Sequence, residues 1–452
     1  MKLCKPFYDR CKLITAFILF IYFIFLSSCK KTGQVNNTGS TEQPNIVFIL
    51  GDDIGYEVLT CNGGQSYSTP VLDNLASEGM RFTQCYACPN CSPTRVELLT
   101  GKYNFRNYTG WGDLNPSEKT FANMLHDAGY KTCVAGKWQL GGGDASIHAF
   151  GFDKYRVFEP FYTDDEQIEN QYRYKNPRLY ENGDYLPTSL TSGKYADDMF
   201  ADYISDFIDS NLSSPMFIYY PLSLCHMPFS PTPDDPEYNA WDPLRDSSDP
   251  AFFPSMVEYM NKKVQQVLDK IDAAGLADKT IIIYMGDNGT PPKITSRYNG
   301  ITIQGGKGTS TIYGTHVPLI IKWPGSVAPQ QISGALIDPS DFLPSIADMA
   351  KINKPSNFGI LDGISFYPVL SGSTERLRDW IYCYWNPQLM SDKFLVWTQD
   401  EKYKLYDSTN ENFFFDINKD PLELQPIPYS QLTPEEAQRK KVFDSVLNVM
   451  HN

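Results

Sequence analysis

The sequence predicts an α/β fold: a mixed, mostly parallel sheet flanked by helices, followed by a small C-terminal α+β subdomain with an antiparallel sheet. Three observations predict it. Four apolar runs of strand length, Pro44–Leu50, Lys131–Ala135, Pro215–Tyr220 and Thr280–Met285, read as strands buried on both faces. Between them lie segments with helical periodicity, the alternation expected when crossover helices join parallel strands. After residue 375 the pattern changes to short aromatic runs at meander spacing. The chain therefore divides into a leader (1–28), a tether (29–43), a main domain (44–375) and a C-terminal subdomain (376–452).

In the leader, Lys2, Lys5, Arg10 and Lys12 precede an apolar run from Leu13 to Leu26, short for a spanning helix, which ends in Leu26-Ser27-Ser28-Cys29. This resembles a bacterial lipoprotein signal peptide. The resemblance implies export, lipidation of Cys29 and a lipid anchor in the outer membrane, facing the periplasm or the cell surface. The Gly/Asn/Thr/Ser-rich tether reads as a flexible spacer. Of the 452 residues, 42% are hydrophobic and 14% aromatic, ample for a large core. Formal charge is −14, and loss of the leader, with four cations and Asp9, takes it to about −17. So acidic a body excludes nucleic acid as a partner class but leaves room for an anionic substrate in a local cationic pocket. Seven of the ten cysteines lie beyond Cys29, an odd number from which no pairing follows.

Taken in order, the strand Pro44–Leu50 stops at Gly51-Asp52-Asp53-Ile54-Gly55. Adjacent carboxylates repel unless a cation sits between them, and the ligand crevice of an open α/β sheet lies at this end of its strands. Thr69-Pro70 opens a helix through Leu72, Leu75 and Met80, and Ser117–His126 gives another, closed by Gly129. The strand from Lys131 runs into Gly136-Lys137-Trp138-Gln139. Residues 142–193 read as a long irregular insertion, a candidate binding wall. Met199, Phe200, Tyr203, Ile204, Phe207 and Ile208 mark an amphipathic helix, and a longer one runs from Met256 to Ile271. The strand Pro215–Tyr220 leads to Leu224-Cys225-His226, and Thr280–Met285 leads to Gly286-Asp287-Asn288-Gly289. Asp52, Asp53, Asp287 and Asn288 together make an all-oxygen ligand set for a hard cation such as Ca²⁺ or Mg²⁺. Gly305-Gly306-Lys307-Gly308 supplies a lysine, and His316, directly before an apolar strand, reads as structural. Trp380–Trp385, Phe394–Trp397, Tyr403–Tyr406 and Phe413–Phe415 are the aromatic strands, and a terminal helix starts at Thr433.

The chemistry centres on Cys91-Ser92-Pro93-Thr94-Arg95-Val96-Glu97-Leu98-Leu99-Thr100-Gly101. Pro93 suits the first turn of a helix and Gly101 its end, so Cys91 and Arg95 sit near a helix N-terminus, where free N–H groups favour an anion. Cys85, Cys88 and Cys91 are also spaced like iron–sulfur or zinc ligands, with Cys61, Cys133 or Cys225 available as a fourth. That alternative accounts for none of the residues that follow.

The run Cys91–Lys102 resembles the signature of the type I sulfatases, Cys or Ser, any residue, Pro, any residue, Arg, then Leu-Thr-Gly and a basic residue. The resemblance implies an alkaline-phosphatase-like fold over Pro44–Asn452 and a sulfuric ester hydrolase. It further implies that a maturation enzyme oxidises Cys91 to formylglycine, whose hydrate attacks sulfur and passes through a covalent sulfate hemiacetal. Asp52, Asp53, Asp287 and Asn288 match the family's calcium ligands. Arg95 would anchor the nucleophile, Lys137 and Lys307 would neutralise sulfate oxygens, and His226 would protonate the leaving oxygen. The family's histidine two residues after the lysine is Gln139 here, which can hydrogen-bond substrate but cannot shuttle a proton. The expected substrate is a sulfated saccharide, with Tyr172, Arg173, Arg178 and Tyr180 as candidate sugar contacts. A phosphatase or phosphonate hydrolase of the same fold, and a catalytically silent sulfated-glycan-binding lipoprotein, are the alternatives.

Overall fold

The computed structural model describes residues 43–161, 171–353, 356–386, 394–407 and 413–450. The leader, Cys29 and the tether up to residue 42 lie outside the described residues. The first strand, β1 (Asn45–Gly51), is buried along its whole length. Its side chains alternate between two cores: Ile46, Phe48 and Leu50 enter one, Val47 and Ile49 the other. That period of two is what a strand covered on both faces requires.

The other strands of the main sheet are β2 (Met80–Cys85), β3 (Lys131–Lys137), β4 (Lys154–Phe158), β5 (Tyr180–Glu181), β6 (Asp184–Tyr185), β7 (Met216–Pro221), β8 (Thr280–Gly286), β11 (Leu319–Lys322) and β12 (Gln331–Ile337). Their order is β12-β2-β11-β8-β1-β7-β3-β4-β5-β6. Only β11 and β5 run against the rest of this sheet. A short hairpin, β9 (Thr295–Tyr298) with β10 (Ile301–Gln304), stands apart. One face is covered by helices Cys91–Thr100, Phe121–Asp127, Gly143–Ala149 and Phe342–Met349, the other by Pro70–Glu78, Ala196–Ser210 and Phe253–Ala273. The C-terminal part is an antiparallel sheet of β13 (Ile381–Trp385), β14 (Leu395–Gln399), β15 (Tyr403–Tyr406) and β16 (Phe414–Asp416), packed against helix Pro434–Met450. The aromatic meander is thus as the sequence predicts.

Three expectations need correction. Met80 does not continue the preceding helix, which ends at Glu78; it opens β2, whose Met80 and Phe82 face the core while the strand pairs with β11 and β12. The helix expected from Ser117 begins at Phe121, because the Thr120 side chain caps the N–H groups of Ala122 and Asn123 in a capping box with Asn123. The insertion 142–193 is not irregular throughout: it holds helix Gly143–Ala149, strand β4 paired in parallel with β3, and the β5–β6 hairpin.

The Phe48 ring lies at 5.1 Å from that of Phe342 and at 6.0 Å from those of Phe121 and Tyr219, at the middle of the sheet. Phe48→Ala is expected to cost about 3–5 kcal/mol in urea unfolding, the usual result of emptying an aromatic site that cannot collapse.

Candidate active site

The site lies where the carboxyl ends of β1, β8, β3 and β7 meet. β1 pairs with both β7 and β8, so the loops that leave these strands are neighbours from the start. The backbone locks them further. Asp52 N–H donates to Leu224 O at 3.0 Å, Cys225 N–H to Asp52 O at 2.7 Å, and Asp287 N–H to Gly51 O at 3.0 Å. At the end of β3, Gly136 has φ of 136°, and a Cβ there would stand 1.9 Å from Pro221 O. Only glycine lets β3 approach β7 closely enough to deliver Lys137.

Three carboxylates and three cations gather there, almost wholly buried. Lys137 Nζ donates to Asp52 Oδ2 at 2.8 Å, and Lys307 Nζ stands 2.5 and 2.7 Å from the two oxygens of Asp53. Arg95 donates through Nε and Nη2 to Asp287 Oδ2, at 3.1 and 2.8 Å, and through Nη1 to Lys137 O at 3.2 Å. Asp53 N–H donates to Asp287 Oδ1, and Asn288 Nδ2 to Asp53 Oδ1 at 2.8 Å. Cys91 and Arg95 are four residues apart on helix Cys91–Thr100, so they lie on the same face. The ligand atoms of Asp52, Cys91 and Asp287 lie within 4.8 Å of one another. Gly101, with φ of 67°, ends the helix as expected.

The charges on these groups follow from burial and from one another. Burial alone would raise Asp52, but Lys137, with Arg95 and Lys307, holds it ionised, well below the usual carboxylate range. Asp287 is pushed up to about 7 by burial and by Asp52, against the pull of Arg95 and Lys137. His226 Nδ1 lies 2.5 Å from Met227 O, so it carries the proton and donates; Nε2 faces the site, 4.0 Å from Asp53 Oδ2. Burial, with Lys307, Lys137 and Arg173 nearby, pushes this imidazole well below its ordinary value and keeps it neutral.

All of the sequence-predicted positions Asp52, Asp53, Cys91, Arg95, Lys137, His226, Asp287, Asn288 and Lys307 are therefore accounted for in one cluster. Gln139 sits beside it in a left-handed conformation (φ 60°), its N–H on Glu159 O at 3.1 Å. Its Oε1 has no hydrogen-bond partner among the described residues. His316 is stacked between Tyr56 and Tyr86, its Nε2 3.0 Å from Thr83 O, and is structural as expected.

The three-cysteine alternative does not form. Cys85 is in the core, Cys88 Sγ faces Cys383 Sγ at 3.8 Å, and Cys91 turns to the carboxylates. Of the four candidate sugar contacts, Arg173 reaches the cluster, while Tyr172 O accepts the Arg178 N–H at 3.0 Å and both Arg178 and Tyr180 pack on Tyr185. Arg173 is buried, pairing with Glu159 at 2.9 Å and reaching within 3.9 Å of Asp52, and Tyr180 is buried in β5. Glu159 and Arg173 thus flank the cluster, a role the sequence did not signal. The same holds for Glu57, buried under Thr290 Oγ1 at 2.6 Å. It lies four residues after Asp53, and an acid inside the apolar segment 54–59 was the available hint.

The sulfatase family model matches residues 44–352, and that of the N-sulphoglucosamine sulphohydrolase C-terminal region matches 312–447. The chain belongs to the sulfatase family and is a sulfuric ester hydrolase. Among its relatives, arylsulfatase G of Rattus norvegicus is 31% identical over 379 residues, covering 74% of this chain and 70% of the relative. An N-acetylgalactosamine-6-O-sulfatase of Bacteroides thetaiotaomicron is 29% identical over 406 residues, covering 74% and 77%. The crystal structure of Ps i-CgsB shares the fold, with a TM-score of 0.72 at 22% identity over 91% of this chain and 92% of that one.

Beneath the His226 loop, Asp197 is fully buried and accepts the Ser223 N–H at 3.3 Å. Burial is the main cause that pushes its carboxyl up to about 7. The unfolded carboxyl titrates near pH 3.9, so between about pH 4 and 7 the folded chain holds a proton the unfolded chain has released, and stability falls as pH rises. Asp197→Asn is expected to gain stability relative to the wild type across that window, reaching roughly 4 kcal/mol by pH 8. Urea unfolding of both proteins at pH 4, 6 and 8 reads this directly; a pH-independent difference is the contrary result.

Proposed function

We propose that this protein is an exported enzyme that removes sulfate esters from sulfated saccharides, with residue 91 carried as formylglycine and Ca²⁺ held by Asp52, Asp53, Asp287 and Asn288. One observation carries the reading: Cys91 opens its helix with its ligand atom within 4.8 Å of Asp52 and Asp287 carboxylate oxygens, inside a ring made by Arg95, Lys137 and Lys307. The residues fit a hard cation. Asp52 Oδ1 and Asn288 Oδ1 are buried without a hydrogen-bond partner among the described residues, and the donor set is all oxygen. When present, residue 91 as a hydrated aldehyde would supply an oxygen nucleophile, and the cation would polarise the sulfate.

The chain's own side chains do the rest. Three carboxylates balance three cations in the bare cluster, so an added divalent cation leaves it net positive, matched to a sulfate monoester anion. Lys137 and Lys307, oriented by Asp52 and Asp53, face the sulfate oxygens; Arg95 holds Asp287 in place. His226 Nε2 serves the leaving oxygen. Burial and its cationic neighbours keep it neutral in the bare site; a bound sulfate offsets the cations and favours the protonated ring that delivers a proton there. The N-acetylgalactosamine-6-O-sulfatase among the relatives supports a sulfated saccharide as substrate. The leader ending in Ser27-Ser28-Cys29 supports export and a lipid anchor in the outer membrane, and a formylglycine-generating enzyme would convert Cys91.

Mass spectrometry of the Cys91 peptide from the native host is expected to show an aldehyde or its hydrate in place of the thiol; an intact thiol sinks the formylglycine assignment. Ca²⁺ is expected to raise the Tm of the wild type and leave that of Asp52→Asn unmoved, whereas equal shifts in both proteins speak against this site. His226→Ala is expected to lower turnover of alkyl sulfates by about 10²-fold or more while sparing 4-nitrophenyl sulfate, whose leaving group needs no proton. Palmitate labelling is expected to disappear in Cys29→Ala.

A further inference from the structure

The chain that leaves His226 does not run straight to the next helix. Residues 229–250 fold back and, with the segment around Tyr174, enclose a cavity of about 520 Å³, within the range of small-molecule sites. The cavity adjoins the active site on two sides. Met227 and Pro228 in its wall follow His226 directly. Tyr174 follows Arg173, and its hydroxyl lies 2.7 and 2.6 Å from the carbonyl oxygens of Ser223 and His226.

Its far wall is held in advance of any ligand. Lys175 Nζ donates to three carbonyl oxygens of that wall, Tyr238 at 2.6 Å, Asn239 at 3.2 Å and Trp241 at 2.7 Å. The Trp241 ring stands edge-on to Phe252 at 5.6 Å, and Ser248 Oγ accepts the Phe229 N–H at 2.7 Å. Half-buried Trp241 therefore presents a fixed aromatic surface, ringed by Gln171, Ser230 and Ser248. The cationic side chains are engaged: Lys175 by carbonyls and exposed Arg245 by Asp246 at 3.3 Å. An indole face with an amide and hydroxyls around it, and no unpartnered cation among the described residues of its lining, is the chemistry that receives an uncharged sugar ring.

We propose that this cavity binds an uncharged pyranose ring of the leaving alcohol, seated on Trp241, and so makes the enzyme prefer sulfated saccharides to small aryl sulfates. The proposal rests on the sulfatase reading and names the part of the substrate that the sulfate cluster does not touch. Lys175 is a positioning residue for the wall.

The test compares kcat/KM of wild type, Trp241→Ala and Trp241→Phe on 4-nitrocatechol sulfate and on the 6-sulfates of N-acetylgalactosamine, N-acetylglucosamine and galactose. Trp241→Ala is expected to lower the saccharide-to-aryl ratio about tenfold or more, mainly through KM, and Trp241→Phe to restore most of it. An unchanged ratio, or equal losses on both substrate types, overturns the proposal. Wild type that releases no sulfate from any of them overturns the sulfatase reading instead. The cavity is then decided by titrating the unsulfated sugars against tryptophan fluorescence. A saturable change in wild type that Trp241→Phe lacks supports it, and no saturable change in wild type overturns it.

Discussion

The structure depends on one arrangement of charge, the burial of Asp52, Asp53 and Asp287 against Arg95, Lys137 and Lys307 at the ends of parallel strands. None of these groups could be buried alone, because an isolated ion in a low-dielectric interior loses several kcal/mol of solvation. Each is tolerated because its partner arrives from a different element of the fold. Lys137 reaches Asp52 from β3, Lys307 reaches Asp53 from the loop after β10, and Arg95 reaches Asp287 from a helix. The sheet therefore has to be complete before the cluster is neutral. Fold and site are in this sense a single cooperative unit.

The helix Cys91–Thr100 translates that requirement into sequence. Its first residue must face the carboxylates and its fifth must hold Asp287, and a spacing of four residues does both at once. The helix is buried along its entire length, which is why its sequence shows little amphipathic contrast. The C-terminal sheet contributes from the other side. Trp385 Nε1 donates to Asn90 Oδ1 at 2.9 Å, and Cys383 faces Cys88, so the loop that introduces Cys91 is held by residues nearly 300 positions away.

Much of the fold was legible because buried parallel strands are continuous apolar runs, and a run such as Asn45–Gly51 or Thr280–Gly286 is too short for a buried helix and too apolar for a loop. The site was legible for a related reason: carboxylates directly after such a run mark the crevice. Less legible were elements defined by partners. β2 and β4 are short and mixed in pattern, and their state was decided by pairing with β11, β12 and β3. The helix before Gly129 started late because a threonine side chain competed for its first N–H groups. Arg173 reads as a candidate sugar contact until the fold brings Glu159 beside it.

The sequence by itself determined the strand ends, the polar pairs that follow them and the four-residue spacing of Cys91 and Arg95, since each is a local pattern that chain geometry converts into position. Only the tertiary structure decided which cation meets which carboxylate, that His226 presents Nε2 because Met227 O takes the other nitrogen, and that Cys88 turns away from Cys91 toward Cys383. It also decided the cavity beside His226, built from segments separated by more than fifty residues and joined through the Lys175 ammonium. The physical reason is the same throughout. Local periodicity is written in neighbouring residues, whereas charge pairing and cavity shape arise between residues that become neighbours only on folding.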